Sequence, residues 1–226
     1  MPVPTQHHIA SLVPSSYGSG EGSGIWAPYY TFHKLMAGFI EAYEHAPNAT
    51  VKNNALNLAK GSGLWAATRI CKILDDDEHD GGLPQLKIMW DRYIAGEYGG
   101  MNEVLEKVYE ISKQTNALNA DDLETLKRGS KGFDNQTLFG NLTKNIDGII
   151  GLHANQHIPQ IIGSIFEHAS SFESEGQTTN HYFDIAKNFW EYVRGRYAYS
   201  TGGVGKGEKF TNPYEQALSI GVGGNV

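Results

Sequence analysis

Hydrophobic residues along the 226-residue chain recur mostly at helical spacing. In residues 31–46, "TFHKLMAGFIEAYEHA", the apolar positions fall at i, i+3, i+4, i+7 and i+8 and form one stripe. The same periodicity predicts helices over residues 53–74, 99–114, 157–170 and 181–199, and a short sixth helix over 120–129. The alternation typical of strands is nearly absent. The pattern therefore predicts an all-α fold.

Two predicted helix pairs share one plan. In residues 41–65 and 164–190 an apolar helix ends in aromatic-Glu-His, and the next helix opens on apolar-x-apolar-Ala-Lys and reaches a tryptophan, Trp65 or Trp190. We expect both tryptophans in the core. A weaker copy lies between the two pairs, so the unit is a helical hairpin of roughly 60 residues. Hairpins of this size suit an (α/α) barrel, which would need roughly 360 residues for six units. We expect a partial barrel or an open stack of hairpins.

The segments at the hairpin entries are rich in glycine, aromatic residues, histidine, asparagine and glutamate. In a ring of hairpins these entries gather at one end of the axis, so we expect them to share one cavity. Aromatic faces with a few convergent polar groups are typical of a carbohydrate site. The candidates are Trp26, Tyr29, Tyr30, His33, Glu97, Asn155 and Glu208.

Composition excludes several other classes of function. The formal net charge is −7 and no basic run occurs, which argues against nucleic-acid binding. No apolar run is long enough to span a bilayer, and the first residues lack the apolar segment of a signal peptide, so we expect no membrane partner. Secreted and cytoplasmic locations both remain open. The single cysteine, Cys71, excludes an intrachain disulfide and a cysteine-rich zinc site.

The glycine-rich segment "YSTGGVGKGEKF", residues 199–210, is not a phosphate-binding loop. Counting back from Lys206, a P-loop needs glycine at Ser200, and it needs a hydroxyl residue where Gly207 stands. In the dinucleotide fingerprint the third glycine would fall on Glu208. The segment therefore serves another purpose.

Four blocks of the chain resemble, in the same order, the signature blocks of glycoside hydrolase family 127, the β-L-arabinofuranosidase-like proteins. The blocks are "WAPYYTFHKLMAGFIEAY", "GEYGGMNEVLEKVYE", "GLHANQHIPQIIG" and "YSTGGVGKGEKF". The resemblance extends from about residue 25 to about residue 212. It implies an (α/α)6 barrel followed by β-sandwich domains. It also implies retaining hydrolysis of terminal β-L-arabinofuranosides or a related furanoside, with a zinc-bound cysteine as nucleophile and a glutamate as acid/base.

The resemblance also implies roles for individual residues. Glu208 corresponds to the general acid/base, and His33 and His153 match positions that line the sugar pocket. Tyr98 stands where the family often has histidine. The other residues expected to contact substrate are Trp26, Tyr29, Glu97 and Asn155.

The chain departs from the family after Glu208. No Glu-x-Cys metal motif follows it, and Cys71 matches no ligand position. We therefore expect no metal ligands and no cofactor in this chain, although zinc is implied for the full-length family. The expected organisation is an irregular lead-in over residues 1–24, a partial barrel over 25–212 and an atypical tail over 213–226. We expect a truncated, inactive chain that lacks the closing hairpins and the β-sandwich domains.

Simpler interpretations remain open for the same residues. Glu208 could be an exposed loop carboxylate, His33 could pack or cap its helix, and Glu97 could cap the helix that begins near residue 101. Two other functions compete with the glycosidase, namely a non-catalytic carbohydrate-binding relic and a helical-repeat interaction protein. A sugar site requires His33, His153 and Glu208 around one cavity, whereas a repeat scaffold does not.

Overall fold

The computed structural model describes residues 28–75, 82, 84, 86, 87, 90, 98–175 and 181–213. Trp26, Glu97, the lead-in over residues 1–24 and residues 214–226 of the expected tail lie outside this part of the chain. The helices are α1 (Pro28–His45), α2 (Ala49–Leu74), α3 (Met101–Gln114), α4 (Ala120–Lys131), α5 (Gln136–Thr143), α6 (Ala154–Glu175) and α7 (His181–Tyr192). A π-helical turn, Val193–Tyr197, extends α7, and two short strands follow, β1 (Gly205–Lys206) and β2 (Lys209–Phe210). The prediction of an all-α fold is confirmed.

Asparagine side chains mark three of the helix starts. Asn48, Asn119 and Asn135 have extended backbones, and their side-chain oxygens accept hydrogen bonds from backbone amides in the first turns of α2, α4 and α5. These caps satisfy donors that have no partner within a helix. Helix α5 was not predicted, because its eight residues are too few to show a clear period.

The helices form three successive hairpins, α1–α2, α3–α4 and α6–α7. The first helices of the hairpins contact one another in order, α1 with α3 and α3 with α6, and α2 contacts α4 in a second layer. This two-layer arc is the arrangement of an (α/α) barrel. Within the described residues no helix combines the length and the apolarity that a membrane crossing requires.

Two apolar clusters fill the arc. The first joins the first two hairpins around Met36, Leu105 and Phe133, and the second joins α5, α7 and the strands around Leu142 and Phe210. Between them runs a buried polar seam, where Lys127 of α4 meets the serine and glutamate side chains of α3 and α6. Burial of this charge requires partners, and the seam supplies them.

The expectation that Trp65 and Trp190 belong to the core is wrong. Their exposed fractions are 44% and 61%. Both lie on second-layer helices, α2 and α7, so the repeat correctly relates the two positions but does not say which face turns inward. The Trp65 ring instead lies beside Arg69, whose guanidinium carbon is 4.6 Å from the ring centroid.

Candidate functional site

The "YGG" segment at residues 98–100 brings three of the four sequence blocks together. A Cβ at Gly99 would lie 2.8 Å from the Gln156 carbonyl oxygen in α6, and a Cβ at Gly100 would lie 2.7 Å from Cδ2 of His33 in α1. Gly100 also has φ of +90°, which disfavours any other residue. The two glycines thus allow the starts of α1, α3 and α6 to meet at one end of the arc, as the sequence predicted.

The glycine-rich block joins this end through a short hairpin. Strands β1 and β2 pair antiparallel, with Gly205 opposite Phe210 and Lys206 opposite Lys209. Strand β2 also lies against the segment that precedes α6, because Phe210 N donates to the Leu152 carbonyl at 2.9 Å and Ala154 N donates to the Glu208 carbonyl at 2.8 Å. The buried Phe210 ring anchors the hairpin in the second apolar cluster.

This docking places the side chains of His153 and Glu208 in contact. Nε2 of His153 lies 3.1 Å from Oε2 of Glu208, a hydrogen-bonding distance between residues 55 positions apart. The side chain of His153 is 24% exposed, whereas that of Glu208 is 71% exposed. The carboxylate therefore projects to solvent, and the imidazole forms part of the wall behind it.

A cavity of about 600 Å³ opens beside this pair. Its volume falls in the usual range of small-molecule sites, about 300–1,000 Å³. The described residues that line it include Tyr98, His153 and Lys209, the residue after Glu208. His33, Asn155 and Glu208 do not line it, so of His33, His153 and Glu208, which were expected to surround one cavity, only His153 does so.

The aromatic part of the wall is continuous with the core. Tyr98 and Trp90 both line the cavity, and their ring centroids lie 4.6 Å apart. Phe133 packs against both rings from the interior, and Tyr29 packs edge-on against Trp90 and Phe133. Tyr29, a predicted sugar contact, is therefore placed behind the aromatic wall, and burial raises the pKa of its phenol.

An acidic pair lies behind the polar part of the wall. Asp134 lines the cavity but is only 9% exposed, and its Oδ2 accepts a hydrogen bond from the Tyr182 hydroxyl at 2.8 Å. Burial raises the pKa of Asp134 to about 7, against the opposing hydrogen bonds from Tyr182 and Glu167. Burial and the Asp134 and Glu106 charges also raise the pKa of Glu167. Two carboxyl groups in contact out of water retain a proton between them.

His33 is buried at the start of α1. Its exposed fraction is 5%, and its ring lies edge-on to Tyr30. Burial, assisted by the Lys34 charge, lowers the pKa of His33 to about 4, while a contact with the Tyr30 backbone opposes the shift. The imidazole is therefore neutral at physiological pH. Asn155 is exposed in the first turn of α6.

Several polar residues of the cavity were not selected from the sequence. They are Lys87, Asn135, Asn141, Gln156 and His157. Gln156 and His157 belong to the "HANQHIP" block, so their proximity to His153 was the available signal. Asn135 caps the unpredicted helix α5, and Asn141 lies within it.

Among the described residues, no thiol lines the cavity. Cys71 is 8% exposed between α2 and α4, where its Sγ lies 3.7 Å from the Thr125 carbonyl oxygen and burial raises its thiol pKa. It does not line the cavity. Among the described residues, a cluster of possible metal ligands occurs only at the exposed Glu41, Glu44 and His45 near the end of α1.

Comparison with known proteins agrees with this architecture. The family model described as "Beta-L-arabinofuranosidase, GH127 catalytic domain" matches residues 8–220. A search of curated proteins finds no significant match. Since the family model covers most of the chain and the helices form the α/α arrangement of that domain, the chain belongs to the β-L-arabinofuranosidase family, glycoside hydrolase family 127.

Proposed function

We propose that the cavity binds a terminal β-L-arabinofuranoside or a related furanoside, and that Glu208 is the general acid/base of the site. Family membership makes the ligand class carbohydrate. The observation that carries the proposal is the contact between His153 and Glu208 at 3.1 Å beside a cavity with two aromatic rings. Rings with nearby amide, imidazole and carboxylate groups suit a sugar, which offers apolar faces and many hydroxyl groups.

Glu208 suits the acid/base role for two reasons. Its carboxylate projects from a hairpin whose glycine residues allow the close approach of a ligand. Its Oε2 meets His153, which leaves Oε1 for the oxygen of the glycosidic bond. A general acid must come within hydrogen-bonding reach of the atom that it protonates.

The 226-residue polypeptide is proposed to bind its ligand without hydrolysing it. A retaining glycosidase needs a second group about 5–5.5 Å from the acid, on the other side of the anomeric carbon. Cys71, the single cysteine of the chain, is buried elsewhere. General acid catalysis alone supplies about 10²–10⁴-fold, a small part of the rate enhancement of a glycosidase.

Calorimetric titration with methyl β-L-arabinofuranoside tests the binding part of the proposal. We expect measurable affinity, weaker binding of the pyranoside isomer, and about tenfold weaker binding by Glu208→Gln, because a hydrogen bond to a charged group is lost. Lys206→Gln is the matched control, since Lys206 is exposed on the same hairpin. Equal affinity for both ring forms, or an unchanged affinity in Glu208→Gln, would contradict the proposal.

Release of the aryl group from an aryl β-L-arabinofuranoside tests the catalytic part. We expect no turnover by the polypeptide, with or without added zinc. Turnover that Glu208→Gln abolishes would disprove the proposed inactivity and would require a nucleophile other than cysteine.

A further inference from the structure

The turn that carries Glu208 has an unusual backbone. Gly207 and Glu208 are the two central residues between β1 and β2, and their φ angles are +58° and +64°. Two positive φ angles define the type I′ turn, which favours asparagine, aspartate or glycine at both positions. A glutamate at the second position is therefore not explained by the turn itself.

The other residues with positive φ show how unusual this position is. Within the described part of the chain, the non-glycine residues with positive φ are Asn116, Asn145 and Glu208. Asparagine tolerates this conformation because its short side chain bonds to the local backbone, whereas other residues lose about 1–2 kcal/mol. Strain of this kind persists where the surroundings enforce it, and it concentrates at functional sites.

The surroundings of Glu208 do enforce the conformation. The Glu208 carbonyl accepts from Ala154 N, and the flanking Lys209 pairs with His153 as a β-bridge. The bonds between strand β2 and residues 151–154 hold the hairpin against the start of α6. The side chain of Glu208 consequently reaches His153 rather than solvent alone.

The environment of His153 indicates which nitrogen carries the proton. Its Nδ1 is buried and has no hydrogen-bond partner among the described residues, while its Nε2 faces the Glu208 carboxylate. A proton on Nδ1 would leave a buried donor unsatisfied, whereas a proton on Nε2 is donated to the carboxylate. The geometry therefore favours a proton on Nε2 rather than on Nδ1.

We propose that His153 is a positioning residue for Glu208. The Nε2–H group of His153 fixes the Glu208 carboxylate beside the cavity, while the backbone of Glu208 is held in the strained left-handed region. This inference rests on the proposed role of Glu208. It also implies that the left-handed backbone at position 208, which presents the carboxylate, lowers the free energy of unfolding. Replacing Glu208 by asparagine should therefore stabilise the fold while weakening ligand binding.

Urea unfolding tests the strain without any ligand. Glu208→Asn should lower the unfolding equilibrium constant about fivefold, because asparagine suits the left-handed turn. Asn116→Glu is the matched control, since it places a glutamate at an exposed position of positive φ, and it should raise the constant by a similar factor. A destabilised Glu208→Asn, or an Asn116→Glu variant as stable as the wild type, would overturn the argument from strain.

Spectroscopy and rescue test the positioning role. In protein labelled with ¹³C-glutamate, His153→Leu should move the side-chain carboxyl resonance of Glu208, and His153→Gln should restore most of it through its amide donor. In calorimetry, His153→Leu and Glu208→Gln should each weaken binding of methyl β-L-arabinofuranoside, and the double variant should be little weaker than either. Additive losses of affinity in the double variant, or a Glu208 carboxyl resonance that His153→Leu leaves unchanged, would overturn the proposal. If neither the wild type nor any variant binds the sugar, the proposed function fails. The unfolding and resonance measurements still decide the positioning role in that case.

Discussion

Replacing Asp134 by asparagine should change how the stability of the fold depends on pH. The Asp134 carboxyl is 9% exposed and contacts Tyr182 and Glu167. Its pKa is raised from 3.8 to about 7, chiefly by burial. Between these values folded Asp134 holds a proton that the unfolded residue releases, so the Asp134 contribution to the free energy of unfolding falls as the pH rises through this window, while His33, whose pKa is lowered to about 4, contributes in the opposite direction. The stability that Asp134 loses across this window is of the order of a few kcal/mol, since raising a pKa by one corresponds to about 1.4 kcal/mol.

Urea unfolding followed by circular dichroism, at pH values from about 4 to about 8, measures the effect. Asp134→Asn should remove the Asp134 contribution, because the amide does not ionise, whereas Glu167, whose pKa is raised chiefly by burial, keeps a contribution of its own. At about pH 8 the variant should therefore be more stable than the wild type. Asp184→Asn, at an exposed position of α7, is the control and should keep the wild-type dependence. An Asp134→Asn variant with the wild-type pH dependence, or one whose stability falls more steeply than that of the wild type between about pH 4 and about pH 7, would refute the reasoning.

Two further substitutions test the packing between the helices. Gly129→Ala should lower the free energy of unfolding by about 1–3 kcal/mol or more, because its Cβ would lie 2.4 Å from the Cβ of Ala67 on α2. A Cβ at Gly61 meets nothing within 4 Å, so Gly61→Ala should instead raise the free energy of unfolding by about 0.5–1 kcal/mol. Similar effects of the two substitutions in urea unfolding would contradict the close approach of α4 to α2 at Gly129. Lys127→Met should cost about 3–5 kcal/mol near neutral pH, because it leaves the buried Glu106 without its cation. Wild-type stability of this variant would mean that Glu106 is neutral in the folded chain.

The helices other than α5 could be predicted from the sequence because each carries an apolar stripe. The order of the hairpins and the gathering of their entries also follow from the sequence, since a repeated hairpin places equivalent segments at the same end. The inward face of the second layer could not be predicted, and Trp65 and Trp190 were therefore misplaced. A partly apolar surface helix shows the period of its stripe but not which neighbour covers it.

The candidate site was harder to predict than the fold. His153 and Glu208 were selected separately, but their contact depends on a two-residue turn in which a glutamate adopts positive φ. The acidic pair of Asp134 and Glu167 was missed because Asp134 lies in the loop between α4 and α5 and Glu167 lies on α6, 33 positions apart, with no motif between them. Contacts of this kind arise from tertiary packing, which single-sequence periodicity does not report.

The central claim is that the cavity beside His153 and Glu208 is the furanoside site. An NMR titration of the labelled polypeptide with methyl β-L-arabinofuranoside tests it most directly, because amide resonances report where the ligand binds. The account predicts saturable shifts concentrated at Tyr98, His153 and Glu208, with little change around the groove of α1 and α2 near Leu58 and Trp65. Shifts concentrated in that groove, or no saturable shift at residues around the cavity, would contradict the account.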